Sequence, residues 1–406
     1  MSLRGDSDTD LLSSPGGRPD PAAAPTVLPM DSALTIARLE FAVTASLHFF
    51  FAATTLGLAP YVAWVSTRLA VTGASRHRRT LDYVVRLYLV NYGIGIVSGI
   101  VMELQLGLNW SGDGSRIYDP VATLLAVETL VAFFVESTLL ALWIVSAGRF
   151  PEWVRAALLW GVAGTAWASA YVVLSANGFL HRPVGVELAS DGSAHVTDVV
   201  TLLTNPSAVG AFAHVVGAAA IVSGFWLAAG GARLLVLGRD VEVALPLLRG
   251  GVLLVAVGAP WTVASGLGQF SVARADLTTS PGAFGLLLAV MMLAGLLITV
   301  VTWVLLVPAV LSRRLERWTP VLRVMTWAPW LPLAITVTGW VYREEARQPW
   351  FVVGHVTVAE AASFTPLPLL VTATGLTAVA VVATVVDVRL MSRSLDVPPA
   401  RAGVLA

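Results

Sequence analysis

The side chains with chemistry to offer are few, and they sit where an apolar chain should not carry them. His48 lies in Thr44-Ala45-Ser46-Leu47-His48-Phe49-Phe50-Phe51, and His214 follows Asn205-Pro206-Ser207-Ala208-Val209-Gly210-Ala211-Phe212-Ala213. Each imidazole reads either as a neutral ring bonded to a neighbouring helix or as an axial ligand to haem iron, which imidazole nitrogen suits. The alanines and glycine beside His214 would let a flat macrocycle approach the backbone. Met291 and Met292 read most simply as packing residues, yet a His/Met pair is also a standard low-spin haem ligand set. Glu128 and Glu136 share one apolar stretch, about 12 Å apart along a helix axis and about 80° around it. On that geometry both line one interior face, as a structural pair or a proton path. Ser137 and Thr138 follow with hydroxyls able to relay protons. Glu103, in Met102-Glu103-Leu104-Gln105-Leu106-Gly107-Leu108-Asn109-Trp110, is an interfacial anchor or the lining of a cofactor pocket. The string Gly339-Trp340-Val341-Tyr342-Arg343-Glu344-Glu345-Ala346-Arg347-Gln348-Pro349-Trp350 ends an apolar stretch in a knot of charges and tryptophans. Glu344 there is a surface ion-pair partner of Arg343 or Arg347, or a group that serves a buried cofactor. The tryptophans also suit an interfacial belt.

The elements that carry these residues are membrane helices. The 406 residues are 56% hydrophobic and only 12% charged, against roughly 25% charged in soluble domains. A span takes about 20 apolar residues, which predicts an all-α integral membrane protein: a bundle of about nine transmembrane helices over 34–67, 81–109, 121–147, 151–177, 207–236, 244–267, 283–311, 319–341 and 367–391. Pro151, Pro281, Pro320 and Pro368 fall at or near helix starts, where a missing N–H costs little. Residues 1–30 are rich in Asp, Ser, Pro and Gly and lack the apolar core of a signal peptide, so they read as a disordered leader. The helical domain covers 31–392 and a tail 393–406. Neither a soluble domain nor an internal repeat is evident.

Every one of the 25 basic residues is arginine, and the net charge is zero. That balance gives no reason to expect a nucleic-acid partner. With no cysteine, disulfides, thiolate metal sites, iron–sulfur clusters and covalent c-type haem are excluded. Seventeen of the arginines flank the first, third, fifth and seventh connections or follow the last helix. The positive-inside rule then places the N-terminus outside and the C-terminus in the cytoplasm. Under that topology His48, His214, Met291, Glu128 and Glu344 lie in the middle or outer half of the membrane, and Glu136 alone reaches inward. Electrons entering from outside and protons from the cytoplasm would separate charge without a pump.

The chain resembles subunit I of the cytochrome bd-type oxygen reductases across most of residues 32–391. The resemblance rests on Arg38-Leu39-Glu40-Phe41-Ala42-Val43-Thr44-Ala45 before His48 and on the 102–110 stretch. It rests also on Val127-Glu128 with Ala132-Phe133-Phe134-Val135-Glu136-Ser137-Thr138, on Ala176-Asn177-Gly178, on Asn205-Pro206 before His214, and on the 339–350 string. It implies three haems: a low-spin haem b held by His214 and Met291, a high-spin haem b, and a third that is haem d or a further haem b. His48 and Glu344 would serve the two high-spin haems. Glu128 would sit at the oxygen site or in the proton path, with Glu136 and Ser137 further along it. Glu103 would line a cofactor pocket, and Arg38, Trp340 and Arg347 would neighbour haem edges and propionates. The implied activity is reduction of O2 to water, with electrons from a membrane quinol or another donor, in the bacterial cytoplasmic membrane. The implied partner is a second oxidase subunit, with a homodimer as the alternative.

The departures from the family pattern are specific. Ala289 stands two residues before Met291, where the family usually has arginine, and Ala346 replaces a glycine. The connection at 268–282 has no lysine and is too short for the family's long quinol-binding loop, leaving Arg274 and Asp276 as partial substitutes. A membrane haem protein for electron transfer or gas sensing is therefore the competing reading. A cofactor-free transporter would explain the carboxylates but not the 339–350 string.

Overall fold

The structure is a computed structural model and describes residues 30–110, 112, 117, 119–189, 193–270, 283–363 and 366–397. Among these residues, nine helices are long and apolar enough to cross a membrane. The first two are α1 (Met30–Thr72) and α2 (Ser75–Asn109). The third crossing is broken: α3 (Asp119–Val131) passes through a π-helical turn at Ala132–Glu136 into α4 (Ser137–Val145). Then come α5 (Glu152–His181), the short α6 (Val199–Leu203), α7 (Pro206–Val236) and α8 (Val241–Phe270). The seventh crossing joins α9 (Ala283–Val301) through a second π turn at Thr302–Leu306 to α10 (Val307–Leu311). The eighth is bent between α11 (Thr319–Met325) and α12 (Trp330–Glu345); after the short α13 (Val358–Ala361), α14 (Pro366–Asp396) closes the chain.

These helices overrun the expected boundaries because polar first and last turns extend past the apolar run. α2 starts six residues before position 81, through Arg76, Arg78 and Arg79, and α14 continues past 391 to Asp396. Pro151 is the N-cap of α5 and Pro320 lies in the first turn of α11, as expected of prolines that need no N–H partner there. Pro60, Pro246 and Pro260 instead lie inside helices, where packed neighbours in a membrane bundle can re-satisfy the freed carbonyls. Pro281, Arg274, Asp276 and the leader at 1–29 fall outside the described residues. Two small antiparallel hairpins, which hydropathy did not foretell, cap one end: β1 (Val186–Leu188) with β2 (Ala194–Val196), and β3 (Trp350–Val352) with β4 (Val356–Thr357).

The arginine grouping read from the sequence becomes a physical end of the bundle. Arg78 pairs with Glu152 at 2.5 Å, Arg79 with Asp240 at 2.7 Å, Arg233 with Asp396 at 2.5 Å, and Arg249 with Glu316. Arg86 donates to the Val397 carbonyl at 3.5 Å. The first, third, fifth and seventh connections and the end of α14 therefore meet at one face. The main core lies toward this end, around Tyr83, Tyr88, Trp143, Trp226 and Leu247. α7 lies along α8 through small side chains such as Ala228, Ala232 and Ala244, which let two backbones approach closely in lipid.

Candidate functional site: imidazole, thioether and carboxylate groups in the bundle

His48 projects from α1 toward α2, where its Nδ1 lies 3.0 Å from Ser98 Oγ. Ser98 donates its own hydroxyl proton to the Gly95 carbonyl at 2.7 Å. Its oxygen therefore accepts from His48 Nδ1–H, which leaves the lone pair on Nε2. His214 repeats this arrangement on α7. Its Nδ1 lies 3.0 Å from the Thr262 carbonyl on α8, and a carbonyl can only accept. Nε2 again keeps the lone pair, and the side-chain hydrogen bonds of both rings among the described residues are made through Nδ1. Gly266 makes room for the ring, since a Cβ there would lie 3.0 Å from His214 Cε1. A metal-ligating histidine needs its other nitrogen anchored in this way, so both residues fit a porphyrin iron.

Helices α7, α8, α9 and α12 pack in a ring, each against its two neighbours, while the diagonal pairs do not pack extensively. His214 sits on the α7–α8 side of this ring. Met291 sits on the α9–α12 side, its Sδ close against Gly339, where an added Cβ would lie only 2.7 Å from the sulfur. Met292 points away and is 45% exposed on the flank of α9. The two methionines, equivalent by hydropathy, thus differ in direction.

The 339–350 string folds into a charged knot against α5. Asn177 Nδ2 donates to Glu344 Oε1 at 2.7 Å, and Arg347 Nη2 to Glu344 Oε2 at 2.7 Å. Each carboxylate oxygen retains a lone pair, and a ligating carboxylate is normally supported by such outer bonds. Arg347 is only 5% exposed. It spends its other terminal nitrogen on the Trp350 and Phe351 carbonyls, so it clamps the turn into β3. Arg343 is half-buried, and among the described residues its hydrogen bonds go to neutral acceptors: Asn177 Oδ1 at 2.7 Å, Gln269 Oε1 at 3.3 Å and Ser207 Oγ at 3.2 Å. Those contacts tie α12 to α5, α8 and α7. Arg38 pairs with Glu345 at 3.3 Å. Trp340 stacks on Phe49 at 5.5 Å, which joins the string to the neighbour of His48.

The carboxylates of the third crossing bond different neighbours. Glu128 accepts from Ser169 on α5, whereas Glu136 accepts from Tyr88 on α2 at 3.1 Å. The π turn at Ala132–Glu136 lies between them. A π turn rotates less per residue than an α turn, so it reduces the offset of about 80° and keeps the two groups toward one face. Ser137 lies 3.3 Å from the Tyr92 hydroxyl, and Tyr92 stacks on Tyr88. Glu103 accepts from Thr129, bridging α2 to α3. Trp110, in the same stretch as Glu103, is buried against Phe351 at 6.3 Å.

Three further polar side chains are placed by the fold. Ser98 anchors His48, but a serine in an apolar helix carries no distinguishing signal. Glu40 is 3% exposed and accepts from Asn109 at 2.9 Å. Asp387 is 1% exposed within α14, which runs past 391 to Asp396, so Glu136 is not the sole carboxyl of the inner half.

Fold and site together define a polytopic helical membrane protein with imidazole, thioether and carboxylate side chains inside its bundle. The chain belongs to the family described as Cytochrome bd terminal oxidase subunit I, which it matches over residues 36–275 and 276–399. A cytochrome is a haem protein, so haem binding comes with membership. Among curated relatives, Cytochrome bd ubiquinol oxidase subunit 1 of Bacillus subtilis is 35% identical over 48% of this chain and 42% of its own length. Cytochrome bd-II ubiquinol oxidase subunit 1 of Escherichia coli is 33% identical over 52% of this chain and 41% of its own. The matches thus span somewhat under half the length of these relatives. The bd oxidase structure from Geobacillus thermodenitrificans shares the fold, with a TM-score of 0.81 at 19% identity, covering 90% of this chain and 98% of that one.

Proposed function

We propose that this chain is the haem-carrying subunit of a bacterial plasma-membrane oxygen reductase that reduces O2 to water. The single observation that carries this reading is the pair of imidazoles, each with Nδ1–H anchored and the lone pair left on Nε2, in a chain of this family. His214 Nε2 and Met291 Sδ would hold the low-spin haem b from opposite sides of the α7–α8–α9–α12 ring. His48 and Glu344 would hold the two high-spin haems, one of them haem b and the other haem d or a further haem b. When bound, the haems supply one-electron storage and an iron to which oxygen binds.

The protein's own residues do the remaining work. Ser98 and the Thr262 carbonyl fix ring orientation and raise the basicity of Nε2. Asn177 and Arg347 hold the Glu344 carboxylate in place. Arg343, a half-buried cation whose hydrogen-bond partners among the described residues are neutral, suits a carboxylate of the cofactor. Arg38, Trp340 and Glu103 line the same end. Protons for water formation pass along the third crossing. Tyr88 donates to Glu136 Oε1, Ser137 and Tyr92 extend that chain of hydroxyls, and Glu128 with Ser169 lies toward the oxygen site. The arginine-rich end faces the cytoplasm, so these protons come from that side and contribute to the proton motive force. A second oxidase subunit or another copy of this chain would cover the exposed flank of α9, where Leu293, Leu296 and Leu297 stand free.

Reduced-minus-oxidised spectra of the purified protein test the reading, with pyridine haemochrome analysis of the extracted cofactors. The expected result is b-type haem bands that change in His214→Ala; absent bands, or bands unchanged in that variant, overturn it. Glu136→Gln should slow oxygen uptake by about a hundredfold with the haem content intact. The short connection after α8 favours one competing reading, electron transfer or gas sensing without quinol oxidase turnover. No oxygen uptake with a quinol or with an artificial donor would support that reading, whereas uptake with the artificial donor alone would mean that the natural donor is not a quinol bound in the usual place.

A further inference from the structure

α14 carries an acidic side chain that nothing above uses. Asp387 lies nine residues before the helix end at Asp396, about 13 Å along the axis. It is 1% exposed, and neither carboxylate oxygen has a hydrogen-bond partner. Asp387, Met391 and Leu395 recur every four residues and form one buried face of the helix. That face packs against α2 and α1. The register against α2 is fixed at one point, where the Tyr83 hydroxyl donates to the Leu395 carbonyl at 3.2 Å. The helices are antiparallel, since Tyr83 near the start of α2 meets the end of α14. On α2 the matching buried face is Tyr83, Leu87 and Asn91. Stepping eight residues from the fixed point along each helix brings Asn91 level with Asp387.

Asn91 is fully buried at the junction of α1 and α2. Its Nδ2 donates to the Phe51 carbonyl at 2.9 Å and to Thr55 Oγ1 at 2.7 Å, which fixes the amide orientation. Its Oδ1 is buried without a partner. Two acceptor-only groups, a carboxylate and an amide oxygen, therefore come level in one seam with no donor between them. Burying an unpaired charge in a membrane is costly. One proton resolves both deficits: a neutral carboxylic acid donates its O–H to the amide oxygen and leaves no charge behind.

No other charge competes for the site among the described residues. Between Glu40 and Arg68, α1 offers only His48 and Tyr61. On α2, Asp82 and Arg86 lie toward the arginine-rich end, Tyr83 is used on Leu395, Tyr88 on Glu136, and Tyr92 on Ser137. On α7, Arg233 pairs with Asp396 and His214 bonds Thr262. On α14 itself, Arg389 is exposed on the opposite side, and Arg393 lies below in the last turn.

We infer that Asp387 is an intramembrane proton-binding site, holding its proton at neutral pH toward Asn91 in the α1–α2–α14 seam. The site is independent of the haem ligands and bonds none of the Tyr88–Glu136 pair. Infrared spectroscopy of the full-length holoprotein tests it. A carboxylic C=O band, shifted down in D2O, should be present at neutral pH, absent in Asp387→Asn, and moved to higher frequency in Asn91→Leu by loss of the hydrogen bond. Asp387→Asn should retain the wild-type haem spectrum and thermal stability, because an amide replaces a neutral acid of the same shape. A neutral-pH spectrum without a band assignable to Asp387 overturns the inference. So does a band that appears only when sodium is replaced by choline at constant ionic strength, since a metal cation would then occupy the seam.

Discussion

The two ends of this bundle use the same residue types under opposite conditions. At the arginine-rich end, Arg78, Arg79, Arg233 and Arg249 each meet a carboxylate, and the partners remain partly in water. Such pairs contribute little individually and tie loops together. At the other end, Arg343 is half-buried against an amide, a second amide and a hydroxyl, and Glu344 is held by an amide and a sealed guanidinium. Charge there is desolvated and incompletely neutralised, which is the condition for holding a charged cofactor. Location relative to water, not residue type, separates scaffold from site.

The comparison can be broken most decisively at the methionines. Met291→Leu should abolish the low-spin haem signature while Met292→Leu leaves it unchanged, read by optical and electron paramagnetic resonance spectra. Equal effects would mean that the α9–α12 side of the ring does not hold the cofactor. Next in size is the contrast between arginines. Arg343→Leu strands the Asn177, Gln269 and Ser207 acceptors and should lower stability by roughly 3 kcal/mol. Arg79→Leu at the opposite end should cost less than about 1 kcal/mol. Thermal unfolding of the detergent-solubilised protein measures both, and similar losses would erase the distinction. Salt sharpens it further. Raising ionic strength from about 0.1 M to about 1 M shortens the screening length from roughly 10 Å to 3 Å. The remaining effect of Arg79→Leu should then vanish, while that of Arg343→Leu persists.

The smallest expected effect lies on the strap that follows the 339–350 string. Thr357 and Glu360 form a capping box at the start of α13. The Thr357 backbone N–H, and then its hydroxyl, hold the Glu360 carboxyl below its ordinary value. A depressed folded-state value means that this stabilisation is present above the ordinary carboxylate range. It is lost as pH falls through the depressed value. Amide exchange at Thr357 and Glu360, corrected for intrinsic rates, should therefore rise below the normal carboxylate range in the wild type. In Glu360→Gln it should already be raised at neutral pH.

Hydropathy located every crossing because a span must be apolar over about 20 residues whatever it packs against. It could not foresee the π turn at Ala132–Glu136, which arises within an apolar run. The ligand candidates were legible because ionisable groups in lipid are conspicuous. Their supports were not. Ser98, Thr262, Asn177 and Gln269 are common polar groups whose roles exist only through a neighbour on another helix. Asp387 was legible in type, but its burial depends on the helices that α14 packs against.

The sequence by itself determined the solvent of this protein, the number of crossings, which connections share an end, and the side chains able to grip iron. Those follow from composition and local order along one chain. Only the tertiary structure decided which nitrogen of each imidazole keeps its lone pair, which methionine turns inward, and which arginine bonds neutral groups on other helices. Each of those depends on an atom contributed by a different helix, and contacts between segments distant in sequence are fixed by packing rather than by any local pattern.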